Sequence, residues 1–598
     1  MNKTDLIQKV KALDGLSQDE RAYLINLVNT KKKYGLVWED KPEEVEEQLR
    51  ENLPVLKEVK DKAIVNGEEH PNHILIEGDN LHALAALTFT HENKIELIYI
   101  DPPYNTGNKD FKYNDIFVER DDSYRHSKWL TMMNKRLNLA KRLLSETGVI
   151  FISIDENEVA ELKLLCNDVF GQTNFITQIT LLCNPKGRSQ DKYFNTSHEY
   201  CLIYSKSKLE PGHFSVNKDD EDVNAGYKLK DHIGRYRLLE LRNTHREFNK
   251  TNRPNLFYSI YVDPASFKVS LAQDEIYTKK VEPLWNDGFE GCWTWGKELF
   301  KKDNHLLIGQ EKKGEWKIYR KSYSHSEEGA VVKKKLFTIW NDSSFFTERG
   351  QATFGDIFPG FNKNDFPQPK ATEYIKQIIT SGSTSNSVIL DFFAGSGTTL
   401  HATMQLNAAD GGNRQCILIT NNENNICEEV TYERNKRVIL GYSNAKGFSL
   451  EGLAHNNLRY YKSEFVSRET SLKNKRELTQ LATELLCIKE DCYAEQKIKI
   501  KQAKLFANAR VTLLILFDDH IIPDAVELIR GMHAKEIKVY VFSMGSDPYT
   551  EDFLEVLDKV TLCALPDAIY KAYQNVLPTK MKTVRLMEDV SETPSNEN

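Results

Sequence analysis

Ile95-Glu96-Leu97-Ile98-Tyr99-Ile100-Asp101-Pro102-Pro103-Tyr104 decides how this chain is read. Apart from Glu96 the first six residues are apolar and largely β-branched or aromatic. Such a short continuous run, bounded by turn residues, predicts a strand buried on both faces of a parallel sheet. Two consecutive prolines end it, because neither can donate to a ladder. An acid therefore stands at the carboxyl end of a buried strand, where ligands of open α/β sheets bind.

The same pattern recurs on either side. His73 precedes the apolar run Ile74-Leu75-Ile76, which ends at Glu77-Gly78-Asp79-Asn80, and Leu81, Leu84 and Leu87 then fall at helical spacing. Trp129 to Leu144 is helical in period, and Val149 to Ile154 is a further strand ending at Asp155. Far downstream, Val388-Ile389-Leu390 leads into Asp391-Phe392-Phe393-Ala394-Gly395-Ser396-Gly397-Thr398-Thr399 and a helix, and Cys416 to Ile419 is the next strand. Alternating strands and helices predict an α/β domain with a mostly parallel sheet and helices on both faces.

The organisation around that sheet is read in five parts. Residues 1–65 read as an N-terminal helical region, with Leu6, Val10, Leu13, Leu24, Leu27 and Val28 at helical spacing and a second helix from Pro42 to Ala63. Residues 66–205 form the first half of the α/β domain. Residues 206–360 break the alternation and carry many cations and aromatics, among them Arg235, Arg237, Arg242, Arg246, Trp285, Trp293, Trp295 and Trp316, so they read as an insertion. Residues 361–451 resume the domain. Residues 452–598 read as a smaller α/β unit with strands at Val511–Phe517 and Ile537–Phe542 around a helix at Ala525–Met532, and the tail Ser591–Asn598 reads as disordered.

Composition sets broad limits. The chain has 598 residues and a net charge of −7, with 40% hydrophobic and 28% charged residues, values ordinary for a soluble globular protein. The bulk charge neither supports nor excludes a nucleic-acid partner, which needs only a local basic face. Nine dispersed cysteines lack zinc-site spacing, so no metal is expected and reduced thiols fit a cytoplasmic protein. No secretory segment and no membrane-length apolar run is read.

Two segments carry chemistry. The Phe393–Gly397 turn follows a strand and opens a helix, so its backbone can approach a ligand closely and offer free N–H groups. Alone it fits a phosphate, a dinucleotide, an adenosylmethionine carboxylate or a plain tight turn. Leu400 occupies the third-glycine place of a dinucleotide fingerprint, and no Gly-Lys-Ser/Thr follows. Asp101-Pro102-Pro103-Tyr104 is more specific. An exocyclic amino group on an aromatic base is a poor nucleophile because its lone pair is delocalised. A carboxylate and the rigid carbonyls beside the prolines, facing outward, can accept its two hydrogens and direct the lone pair at an electrophilic methyl, while Tyr104 offers a ring for stacking. Catalysis of that kind is positioning and electrostatics. A base in a duplex reaches such a pocket only when flipped out.

These two segments resemble the diagnostic pair of the bacterial amino-methyltransferases of DNA, D/N/S-P-P-Y and F-x-G-x-G. The order, catalytic motif then insertion then cofactor motif, resembles the beta class. Lys33 to Glu39 and Thr420-Asn421-Asn422-Glu423-Asn424 look like modification subunits of type III restriction-modification systems. The resemblance implies a Rossmann-like methyltransferase domain interrupted by a target-recognition insertion, S-adenosyl-L-methionine as cofactor, and double-stranded DNA as partner. It further implies a homodimer and a separate helicase-nuclease restriction subunit, with residues 452–598 serving dimerisation or docking.

By the same resemblance Asp101, Pro102, Pro103 and Tyr104 are catalytic. Asp79 and Asn80, Lys370 within Phe366-Pro367-Gln368-Pro369-Lys370, Asp391, Phe393, Ala394, Gly395, Ser396, Gly397, Thr398, Thr399 and Glu423 bind the cofactor. Asn105, Asp155, His198 and Tyr200 line the target-base pocket. Glu423 could instead be a surface acid, His198 a packed histidine and Asp155 a turn residue. Asp101 favours N6 of adenine, since members with Ser there are usually cytosine-N4 enzymes. Cytosine-N4 methylation, a stand-alone adenine enzyme and a recognition subunit with vestigial chemistry are the competing readings.

Overall fold

In the computed structural model, residues 13, 36, 38–41, 43–107, 110–113, 116–188, 191–325, 331–360, 368–533, 536–574 and 576 are described. Most of the N-terminal helical spacing, the pair Phe366-Pro367 and the tail 591–598 lie outside them. The described residues divide into two units, residues 1–213 with 337–598, and residues 214–336.

The larger unit is built on a ten-stranded sheet. Its strands are β1 (Asn52–Glu58), β2 (Asn72–Glu77), β3 (Ile95–Ile100), β4 (Leu144–Ile154), β5 (Phe175–Leu182), β6 (His198–Ser205), β7 (Ile339–Trp340), β8 (Val388–Asp391), β9 (Gln415–Thr420) and β10 (Asn457–Ser467). They lie in the order β1-β10-β2-β9-β8-β3-β4-β6-β5-β7. From β10 to β4 every neighbour is parallel, and only β1 and β6 run against the rest. The mostly parallel α/β sheet expected from the apolar runs is therefore present. Its central strands are fully buried, with Ile98, Ile100, Ile150, Ile152, Leu390 and Leu418 at 0% exposure. A parallel sheet must be covered on both faces, and that requires these runs to lack polar alternation.

Helices α1 (Glu44–Glu51), α2 (Asn80–His91), α3 (Arg125–Leu143), α4 (Val159–Cys166), α5 (Thr372–Gly382), α6 (Thr398–Asp410), α7 (Glu433–Leu440) and α8 (Leu472–Glu490) belong to this unit. From Leu81 to His91 every residue of α2 is buried. An all-round apolar helix belongs between layers; here α3 and α8 flank α2.

Three boundaries differ from the sequence reading. The helix expected over Pro42–Ala63 stops at Glu51, and Leu53-Pro54-Val55-Leu56 forms β1, antiparallel to β10. Pro54 cannot continue a helix, and an edge strand tolerates it. Residues 457–467 do not open a separate C-terminal unit, because β10 lies between β1 and β2 in the main sheet. The insertion forms a unit over 214–336, narrower than 206–360, since β7 pairs with β5 in the main sheet.

The C-terminal strands Glu495–Gln496, Ala503–Ala507, Thr512–Leu516, Ile537–Phe542 and Val560–Leu565 form a five-stranded sheet of their own, with a helix at Ile522–Arg530. Tyr573 beyond it donates to the Pro54 carbonyl at 2.7 Å, which ties this region back to β1.

The smaller unit, residues 214–336, is β-rich. Its core gathers Leu241, Tyr258, Ile260, Trp293, Trp295, Phe300 and Ile318. Trp293 and Trp295 are thus packing residues. Trp285 is only half buried and lies under two guanidiniums, with Arg242 4.2 Å and Arg246 4.7 Å from its ring.

Candidate active site

Strands β3, β8 and β9 are adjacent, and all point their carboxyl ends to one edge. Asp101 follows β3, Asp391 ends β8 and Glu423 follows β9. Register pairs Ile389 with Leu97 and Ile417 with Leu390, so the two sequence motifs, 290 residues apart in the chain, come together.

Four side chains meet at the first motif. Tyr104 Oη donates to Asp101 Oδ1 at 2.8 Å and lies 3.2 Å from Glu199 Oε2. Lys370 Nζ donates to Glu199 Oε2 at 2.6 Å and to Tyr104 Oη at 2.7 Å, and stands 3.4 Å from Asp101 Oδ1. Burial raises the Asp101 carboxyl above the ordinary range; Lys370 opposes that shift and the Glu199 charge adds to it. Burial works against the Lys370 ammonium, yet the Asp101 and Glu199 carboxylates hold it above an ordinary lysine. Burial and the same two acids push the Tyr104 phenol far up, so it remains a donor. Removing one partner from such a buried cluster costs about 3–5 kcal/mol.

Glu199 is the residue that the sequence reading passed over. His198 and Tyr200 were expected in the pocket, but side chains alternate along a strand. Glu199 is buried toward the cluster, while His198 and Tyr200 are half buried on the other face and bond each other at 3.0 Å. Lys370, expected beside a cofactor carboxylate, is instead committed to Glu199 and Tyr104.

The proline carbonyls are not equivalent. Trp129 Nε1 donates to Pro103 O at 2.7 Å. The expectation that both face outward as free acceptors fails for Pro103; the Pro102 carbonyl has no donor among the described residues, and Pro102 itself is buried. Asn105 holds a positive φ of 57° and is buried, with Nδ2 donating to Glu158 Oε1 at 2.5 Å. Glu158 also meets His126 Nδ1 at 2.7 Å, and burial pushes its carboxyl up to about 8. Asn105 thus braces the loop from below. Asp155 caps its own turn, accepting from Asn157 N at 2.9 Å and Asn157 Nδ2 at 2.8 Å, and burial raises it to about 6. Both of its oxygens serve that turn.

The second motif is a turn held by backbone geometry. Gly395 and Gly397 adopt φ of 49° and 72°. A Cβ at Gly397 would sit 2.4 Å from Asn435 Nδ2, so only glycine fits. Thr431 Oγ1 donates to Gly395 O at 2.6 Å. Arg434, fully buried on α7, donates to Ser396 Oγ at 3.0 Å and Thr398 Oγ1 at 2.7 Å, and burial lowers it to about 9. Ser396 and Thr398 therefore turn their hydroxyls into the protein. Thr399 Oγ1 donates to Asp391 Oδ2 at 2.6 Å, and Phe393 N to its other oxygen at 3.0 Å, while burial raises Asp391 to about 7.

Two cavities adjoin these motifs. One of about 550 Å³ is lined by Asp79, Asn80, Asp101, Phe393, Gly395 and Glu423, among others. Another of about 130 Å³ takes in Lys370, Asp391, Ala394, Ser396, Thr398 and Thr399 and shares Asp101, Phe393 and Gly395 with the first. Asp79 caps α2 through Leu81 N at 2.7 Å and faces Arg136 at 3.5 Å. Asn80 donates to Phe392 O at 3.0 Å and accepts from Arg136. Arg136 is buried and pairs with Glu43 at 2.9 Å, a network no local motif signals. Glu423 pairs with Lys112 at 2.8 Å and lines the larger cavity.

A family model described as DNA methylase matches residues 95–431, more than half of the chain and both motifs. The chain belongs to the DNA methylase family. It is similar to the type II methyltransferase M.KpnI of Klebsiella pneumoniae, 37% identical over 60% of this chain and 84% of that protein. It is also similar to the Mod subunit of the type III restriction-modification enzyme EcoPI of Escherichia phage P1, 32% identical over 66% of this chain and 64% of the subunit. The StyLTI Mod subunit of Salmonella typhimurium is 30% identical over 59% of this chain and 53% of its own length. The chain thus spans less than two thirds of the type III relatives.

A DNA methylase transfers a methyl group, and S-adenosyl-L-methionine is the cofactor that supplies it. The cavities suit that group: their joint size falls in the ligand range, carboxylates at Asp79 and Glu423 can accept from amino and hydroxyl groups, and Gly395, which has no side chain, lines both cavities. No helix among the described residues is long and apolar enough to cross a membrane.

Proposed function

We propose that this methylase acts on N6 of adenine in double-stranded DNA, as the modification subunit of a type III restriction-modification system in the cytoplasm. The observation that supports the chemistry is Asp101 on the wall shared by the two cavities, with the Tyr104 hydroxyl bonded to it at 2.8 Å. The Asp101 carboxylate and the Pro102 carbonyl accept the two hydrogens of the amino group. The nitrogen lone pair would thereby be directed at the methyl group that S-adenosyl-L-methionine would supply, and the proton the nitrogen gives up would pass to the Asp101 carboxylate and on to solvent. Lys370 opposes the rise that burial gives the Asp101 carboxyl, and Tyr104 supplies the stacking ring. Asp79, Asn80, Phe393 to Thr399 and Glu423 hold the cofactor.

The cations of residues 214–336, above all Arg242 and Arg246 around Trp285, support target recognition by that unit through phosphate and groove contacts. The type III relatives support a restriction subunit as partner, and a homodimer fits the same reading. Incubating unmethylated DNA with labelled cofactor and identifying the modified nucleoside tests the substrate: N6-methyladenine is expected, and N4-methylcytosine would sink the adenine assignment. Co-purification with the product of an adjacent helicase-nuclease gene tests the system; a wild-type operon without one refutes it.

A further inference from the structure

Between β5 and β6 the chain makes a hairpin whose base is tightly built and whose tip is bare. The strands pair as far as Leu182 with His198. Beyond them Cys183 N and Asn184 N donate to Ser197 O at 3.1 and 3.0 Å, and Arg188 N to Thr196 O at 3.0 Å. The Asp191 carboxylate accepts from Thr196 N at 2.7 Å. Gly187, with φ of 70°, lets Asn195 pack where a Cβ would lie 2.5 Å from it. On this braced base Tyr193 and Phe194 stand 81% and 89% exposed.

Two adjacent aromatic rings in water gain nothing for folding. Their surroundings point to one class of partner. Lys192 Nζ lies 5.2 Å from the Tyr193 ring. Lys186 and Arg188 pair with Glu348 at 3.0 Å and Glu156 at 3.3 Å, in exposed pairs of the kind that exchange readily with phosphate. Glu199, bonded to Lys370 and Tyr104, is five residues from Phe194, an extended reach of about 17 Å at most. A cationic tip bearing apolar rings thus stands beside the site that must receive a base.

Resting on the function proposed above, we propose that Tyr193 and Phe194 are a wedge that enters the stack of duplex DNA at the target base pair and fills the gap while the base lies against Asp101 and Tyr104. Apolar side chains inserted between base steps offset the unstacking that extrusion requires. Lys186, Arg188 and Lys192 hold the flanking phosphates, and the hairpin base fixes the distance between wedge and pocket.

The test uses the full chain. Mapping methylated positions in unmethylated plasmid DNA gives the target duplex, and a second duplex carries 2-aminopurine in place of the target base. For the Tyr193→Ala/Phe194→Ala double variant, kcat/KM on the paired duplex falls about 10- to 100-fold, as removal of a few kcal/mol of stacking compensation requires. The KM for S-adenosylmethionine is unchanged, and the 2-aminopurine fluorescence rise is lost. A duplex with a mismatch at the target pair, where extrusion is easier, restores most of the rate, and Phe194→Leu keeps most of it on paired DNA. A variant at wild-type rate on paired DNA overturns the wedge, and so does an equal loss on paired and mismatched duplexes. Altered self-association with unchanged methylation assigns the tip to a second copy of the chain and overturns it too. The wild-type product separately tests the function: a methylated base other than N6-methyladenine fails the adenine reading, while the comparison of paired and mismatched duplexes still decides the wedge.

Discussion

The two motif loops sit side by side on β3 and β8 but are held in different ways. The Asp101–Tyr104 loop is held by charge: Lys370, Glu199, Asp101 and Tyr104 share one buried cluster, with Asn105 braced on Glu158. The Phe393–Gly397 turn is held by shape, through two positive-φ glycines and an arginine that grips its hydroxyls from behind. A loop held by charge should fail through protonation and chemistry. A loop held by shape should fail through fit. The first has to tune an acceptor; the second has only to stay out of the way of a ligand.

Asp101→Ala breaks the charged side hardest. Methylation falls about 10³-fold or more, as loss of a preorganised transition-state contact does, while calorimetry shows the cofactor still binding. Full activity would remove Asp101 from the chemistry. Gly397→Ala breaks the shaped side. It introduces strain at φ 72° and a clash with Asn435, so cofactor affinity drops about 10- to 100-fold, equivalent to roughly 1–3 kcal/mol. The pH of half-maximal rate on the acid side is expected to stay where it is; a moved acid limb would show that the contrast between the loops is wrong.

Lys370→Met sharpens the comparison. Lys370 lowers the Asp101 carboxyl, so without it that carboxyl rises and the acid limb of kcat/KM moves to higher pH. Glu199→Gln removes a raising charge and moves the same limb the other way. Two limbs shifted in the same direction would contradict the cluster. Glu158 gives a smaller effect on stability. Its folded carboxyl lies at about 8, above its ordinary value, so its contribution is complete below about 4.5 and lost as pH rises through about 8. The wild-type Tm should therefore fall between about pH 5 and 8, and less so in Glu158→Gln, by thermal denaturation. Glu423→Ala is expected to be mildest, raising the cofactor KM about 3- to 10-fold through one lost charged contact.

The central sheet was legible because its strands are continuous apolar runs, and a run such as Val149 to Ile154 has no other sensible home. The acids at the strand ends followed from the sheet. Its margins were harder to read. Leu53 to Leu56 could be helix or strand locally, and only pairing with β10, about 400 residues away, decides it. Within His198-Glu199-Tyr200 nothing local singles out Glu199; only the alternation of a strand turns it to the cluster and its two neighbours away. Arg434 and Arg136 carry no local signature at all. Each is set by a helix packing against a loop 36 to 57 residues away, and burial of an arginine is visible only once those layers meet.

Pairing of β3 with β8 also has a history in time. The ribosome makes Asp101 290 residues before Asp391, an interval of about 15–60 s at ordinary elongation rates. During that interval β3 lacks one of its two neighbours, and the cavity beside Asp101 lacks the wall that Phe393, Gly395 and Glu423 complete. Modifying power therefore arrives late in translation, and a chain cut short anywhere before β8 can hold no complete centre.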